Sequence, residues 1–239
     1  MIVEAVVSPH PPVLLRELCG AEDTVPELRA ACGTAVASAL RSGPDAVVVV
    51  GGAAETREWD PSLPLGIRRF GTTHRPDAVG LPQSLGVARR LLDEAGWTGS
   101  VRMHSVAWDA DRGTAAEVAR AVAAGAEDRV VLLVMADGSA RRGEKAPGHL
   151  DERAFAFDDE VGRALEAGDP HALSVLDPAL AADLLVQGRA ALAVLGEVVA
   201  AQVVAAGGAG GPGDRPKPEV LYRDDPHGVM YTVAVWDLA

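Results

Sequence analysis

The sequence predicts an α/β fold: a mostly parallel central sheet between two helical layers (α/β/α), closed by a C-terminal antiparallel hairpin. Three observations lead there. Short apolar, β-branched runs at residues 2–7, 45–50 and 129–135 are too brief for helices and read as strands, the second and third as strands covered on both faces. Segments with apolar residues at helical spacing stand between them, and this alternation is the mark of parallel strands joined by crossover helices. The last apolar stretches, residues 219–222 and 229–236, flank the turn-rich residues 224–228, as strands of a hairpin do.

Each element has its own local reason. Residues 25–41 place Leu28, Ala31, Cys32, Ala35, Val36, Ala39 and Leu40 at helical spacing, with Thr24 as the expected N-cap and Gly43-Pro44 as the stop. Gly51-Gly52 is expected to end the second strand, and residues 55–82, rich in Pro, Gly and Arg, show no period. An amphipathic helix at 84–95, an alternating strand at 100–108 and an Ala-rich helix at 114–124 follow. Helices are expected at 151–167, 170–175 and 178–206, the last opened by Asp177 before Pro178. Residues 207–218 are expected to form a flexible Gly/Pro-rich loop, and residues 1–239 read as one domain without internal repeats.

Composition excludes several classes of function. Net charge is −12, and of the 22 Lys and Arg residues only Lys145 and Lys217 are lysines, with no basic stripe for a phosphate backbone. No apolar run is long enough to span a membrane, and residues 1–4 lack the basic flank of a signal peptide, so a cytoplasmic protein is expected. Cys19 and Cys32 lack the spacing of a zinc knuckle and read as reduced and structural.

In a parallel sheet, ligands sit beyond the carboxyl ends of the strands. Residues 8–12, 51–57, 108–114 and 137–142 occupy those places and carry His10, Glu55, Asp109, Asp111, Arg112, Asp137, Ser139, Arg141 and Arg142. Prolines 9, 11 and 12 fix the backbone around His10, which suits either a presented acid/base or ligand or a plain Pro-rich turn. The mixed set would serve a hard metal or an anion, and Arg112, Arg141 and Arg142 a carboxylate or phosphate. His74, His104, His171 and His227 read as surface or packing residues.

Several of these stretches together carry a resemblance. They are Pro-His-Pro-Pro after the first strand, Asp-Arg-Gly-Thr at 111–114, Ala-Asp-Gly-Ser at 136–139, Ala-Pro-Gly-His-Leu ahead of Phe157-Asp158, Gln-Gly-Arg-Ala-Ala-Leu from Gln187, and the ending from Gly228 to Trp236. In order and spacing the chain resembles the class III extradiol ring-cleavage dioxygenases. These include the catalytic B subunit of protocatechuate 4,5-dioxygenase and the Memo-like proteins. The resemblance implies Fe(II) held by two histidines and a carboxylate, a further histidine as acid/base, an aromatic diol as substrate, and a homo-oligomer or mixed assembly.

His10 takes the first ligand position of that pattern. The second histidine, past the second strand, is replaced by Gly51-Gly52-Ala53-Ala54-Glu55, and the acid/base by Ala140 of Asp137-Gly138-Ser139-Ala140. The carboxylate would fall near Gln187 to Arg189, where no acid stands in register, although Glu197 lies further along. For iron chemistry Glu55 would have to join His10 as a ligand and His149 serve as the catalytic acid/base, with Asp137, Arg112 and Arg141 against the substrate. The other reading is a non-catalytic relative that binds a small aromatic or anionic molecule, or a protein partner, in the same cleft.

Overall fold

Valine-rich strands form the middle of the molecule. β1 (Ile2–Ser8), β2 (Ala46–Ala53) and β5 (Val130–Met135) carry branched apolar side chains on both faces, and such strands are stable only where both faces are covered. They lie side by side and parallel in the computed structural model, which describes residues 1–65, 80–125, 129–208 and 215–239. β4 (Ser100–Ala107) adds parallel to β2, and the short β3 (Arg57–Trp59) runs antiparallel along its outer side. At the other end β7 (Tyr231–Asp237) pairs antiparallel with β1, and β6 (Lys217–Asp224) with β7. Strand order among the described residues is β3-β4-β2-β5-β1-β7-β6.

Alternation along the strands sends side chains into two separate cores. Val3, Val6, Val47 and Val49 meet α1 (Pro26–Leu40) and α2 (Gln83–Glu94) on one face. Val7, Val48, Val50 and Val134 meet α3 (Arg112–Ala123), α4 (Arg153–Glu166) and α7 (Arg189–Ala205) on the other, joined by the short α5 (Pro170–Ser174) and α6 (Pro178–Asp183). This is the three-layer α/β/α architecture. No helix among the described residues is long and apolar enough to cross a membrane.

Five local expectations are corrected. Gly51-Gly52 does not end β2: both glycines stay in register with β4, opposite Ser105 and Val106. They are needed for close approach, since a Cβ on Gly51 would lie 2.6 Å from Ser84 Oγ, and one on Gly52 2.9 Å from Trp108 Cδ1 with the Gln187 carbonyl nearer still. The irregular stretch contains β3, anchored where Trp59 Nε1 donates to Ser105 Oγ at 2.7 Å, whereas residues 66–79, His74 included, lie outside the described residues. Thr24 does not cap α1; Val25 takes that place, and its N–H donates to Asp23 Oδ1 at 3.2 Å. The helix expected at 178–206 is two, because Leu185 adopts φ 58° between α6 and α7. Of the expected loop 207–218, residues 209–214 are outside the described set, and Lys217 and Pro218 already belong to β6.

Candidate functional site

β1 and β5 are parallel neighbours, but the chain leaves β1 for the α1 face and β5 for the α4 face. Strands that diverge this way open a crevice at their carboxyl ends. His10 follows β1 and Asp137 follows β5, and the crevice brings them together. The His10 N–H donates to Asp137 Oδ1 at 2.7 Å, and His10 Nδ1 lies 3.3 Å from Asp137 Oδ2. His10 is 1% exposed, and its carbonyl accepts from Gln83 Nε2 at 2.9 Å. Neither ring nitrogen has a hydrogen bond, so the imidazole is held by the carboxylate's charge and by packing.

Electrostatics around the pair follow from burial. Loss of solvent pushes the Asp137 carboxyl up, against the opposing pull of His10 and its N–H. Burial likewise pushes the Cys32 thiol up to about 11 and raises the Tyr231 phenol, to both of which the Asp137 charge adds. At neutral pH Cys32 and Tyr231 are therefore uncharged neighbours.

A second buried carboxylate lines a small cavity with the first. Asp158 of α4 is 2% exposed and accepts from Ser139 N at 3.0 Å, from Ser139 Oγ, and from Arg142 Nη1 at 3.3 Å. Arg142 Nε donates in turn to Asp225 Oδ2 at 2.6 Å, tying the loop after β5 to the hairpin turn. Burial raises the Asp158 carboxyl despite these donors. Asp137, Asp158 and Thr232 line a cavity of about 10 Å³, room for roughly one water. The motif Phe157-Asp158 was visible as a resemblance, but the role of Asp158 was not read from the sequence; its signal is the helical spacing it shares with the buried Ala154, Val161 and Leu165.

The remaining expected residues stand elsewhere. Glu55 is exposed, its carboxylate 3.4 Å from Arg57 Nη1. His149 is exposed in a left-handed turn (φ 57°), with Nδ1 3.4 Å from the Glu144 carbonyl. Arg112 is bound by Glu197, with Nε to Oε1 at 2.7 Å, and Asp111 is the N-cap of α3, accepting from Thr114 N at 2.7 Å. Glu197, the late-helix acid, is thereby occupied as well. Arg141 makes no ion pair among the described residues; its Nε is buried without a hydrogen-bond partner, beside Gly148 and Leu185. Asp151, held down to about 2 chiefly by Arg153, also feels the Arg141 charge.

These positions do not fit an Fe(II) triad of two histidines and a carboxylate. Among the described residues the crevice brings one imidazole, that of His10, beside the Asp137 carboxylate, while Glu55 and His149 are turned to other partners. Around Gly52, near where the second histidine would enter, the Gln187 carbonyl and Trp108 leave no room for a side chain. Among the described residues no group of three or more His, Cys, Asp and Glu could hold a metal ion.

No family model matches the chain, and no curated protein matches it. Among solved structures the chain is similar to the uncharacterized protein JW3007 from Escherichia coli K12. The two are 15% identical over 98% of this chain and 99% of that one, with a TM-score of 0.52. At that identity the likeness shows the fold alone.

Proposed function

We propose that this chain is a class III extradiol dioxygenase-like protein that does not cleave rings and instead binds a small aromatic or anionic molecule at the carboxyl ends of its strands. One observation carries this reading: the His10 ring, at the family's first ligand position, is buried against Asp137 with no second histidine beside it among the described residues. An imidazole engaged in this way serves the packing of two strand ends better than it serves oxygen chemistry, which needs three ligands and open positions. Arg141 supports the anionic ligand. It follows the same strand end as Asp137 and is a guanidinium without an ion-pair partner among the described residues, whereas Arg112 and Arg142 are neutralised by Glu197 and by Asp158 and Asp225. Two free cysteines, Cys19 and Cys32, accord with a cytoplasmic setting.

Calorimetric titration with benzoate and, as a neutral control, benzyl alcohol tests the proposal. The expected result is binding of benzoate alone, weakened about tenfold or more in Arg141→Gln, as loss of a charge-assisted contact predicts. Protein incubated with Fe(II) should show no cleavage of a catechol. Stoichiometric iron that is lost in His10→Ala, together with ring cleavage, would overturn the reading.

A further inference from the structure

At the amino ends of the strands, opposite the crevice of His10 and Asp137, the described residues border an open cavity of about 520 Å³ between the last turns of α3 and α7. Its floor is the rim of the core: Ile2, Val122, Val130 and Val198 line it and are each 5% exposed or less. The space is left because the helix ends that face it carry Ala123, Ala201 and Ala205, where larger apolar side chains would close it. From Val198 to Ala205 the wall runs about 10 Å along α7. Apolar surface continues at the mouth, where Met1 is 63% exposed and Val204, next to Ala205, is 71% exposed.

What such a space accepts follows from its polar groups. Two polar side chains line it among the described residues, and both are engaged with the main chain. Gln202 Nε2 donates to the Ile2 carbonyl at 2.8 Å, and its Oε1 accepts from the Ile2 N–H at 3.0 Å. Arg102 donates from Nη1 and Nη2 to the carbonyls of Ala121 and Val122 at 3.4 and 3.1 Å. A polar group carried inside would lose its water without an equal exchange, whereas each methylene that leaves water strengthens binding about fourfold. The volume lies within the range of small-molecule sites, and core residues hold the floor in place before anything binds. Depth along one helix, with apolar walls, suits a chain better than a compact polar molecule.

We propose that this cavity is a binding site, separate from the strand-end crevice, for the alkyl chain of a single-chain amphiphile whose head group stays in water. The neutral fluorophore N-phenylnaphthylamine, which brightens on leaving water, tests it with the full chain. Its emission should rise with added protein. A series of straight-chain alcohols from butanol to decanol should displace it, with affinity growing about fourfold per methylene until the chain outgrows the cavity. Ala201→Phe and Ala205→Phe put a ring into the space from exposed positions of α7. Each should weaken fluorophore and decanol binding about tenfold or more, the worth of roughly two buried methylenes, at an unchanged melting temperature. Saturating benzoate should leave the fluorophore in place. No brightening with the wild type, affinity that ignores chain length, or displacement by benzoate overturns the proposal, and none of these needs a variant to fold. Binding that survives in both folded phenylalanine variants overturns it as well.

Discussion

His10 and Asp137 are partners because each is costly alone. A carboxylate taken out of water loses hydration that only a hydrogen bond or an opposite charge restores, and Asp137 has the His10 N–H at 2.7 Å and the His10 ring beside it. Removing the carboxylate leaves the buried His10 N–H without its acceptor and takes the carboxylate away from the buried ring. Asp137→Ala should therefore lose about 3 kcal/mol of unfolding free energy, Asp137→Asn less because the amide oxygen still accepts, and the cycle with His10→Ala should show a coupling of about 1–3 kcal/mol. Urea melts of the four proteins measure it, and additive losses would mean that the two side chains do not act as a pair. At this scale the sequence is informative wherever chemistry and local backbone coincide. Prolines mark His10, and the turn after an apolar strand marks Asp137. Glu55 and His149 show where that ends, because nearness along the chain does not set the direction of a side chain: Arg57 claims the one and the Glu144 carbonyl the other.

Elements were legible where their start or stop is written locally. Asp177 before Pro178 opens α6 as the pair predicts, the carboxylate accepting from Ala179 N at 2.8 Å and Leu180 N at 3.1 Å. Asp177→Ala should cost about 1 kcal/mol, the usual worth of such a cap, read as a shift in denaturation midpoint at unchanged slope. No shift would mean that packing of Ala181 alone holds the helix in place. The end of α6 was not legible, because leucine and alanine propagate a helix by propensity and only a tertiary constraint puts Leu185 at positive φ. Gly51-Gly52 failed in the opposite sense. Locally a glycine pair reads as a breaker, whereas here it admits Ser84, Gln187 and Trp108 against a continuous strand.

At the scale of the whole molecule, the alternation of strands and helices fixes the layers but leaves the strand order open. That β5 inserts between β1 and β2, and so brings Asp137 to His10, depends on pairings far apart in sequence, Val130 standing opposite both Ile2 and Ala46. The same packing buries carboxylates in a chain of net charge −12, and this gives stability a mixed response to pH. Asp151, Asp111 and Asp23 sit below their ordinary range, held by donors from Arg153, Thr114 and Arg29, so the stability they contribute is lost as pH falls through their folded values. Asp158 works in the other sense. Burial raises its carboxyl above 3.8, so the folded chain holds that proton more firmly than the unfolded one. Its contribution is fully present below the unfolded value and declines as pH rises through the folded value, when a buried charge must be carried with Ser139 and Arg142 as its compensation. Asp158→Asn has no such titration. The wild type's advantage over Asp158→Asn should therefore shrink as denaturant melts are moved from about pH 4 toward neutrality. An advantage that grows with pH would mean that the Arg142 contact outweighs burial at this site, and that the loop after β5 is held by an ion pair strong enough to keep Asp158 charged in the folded chain.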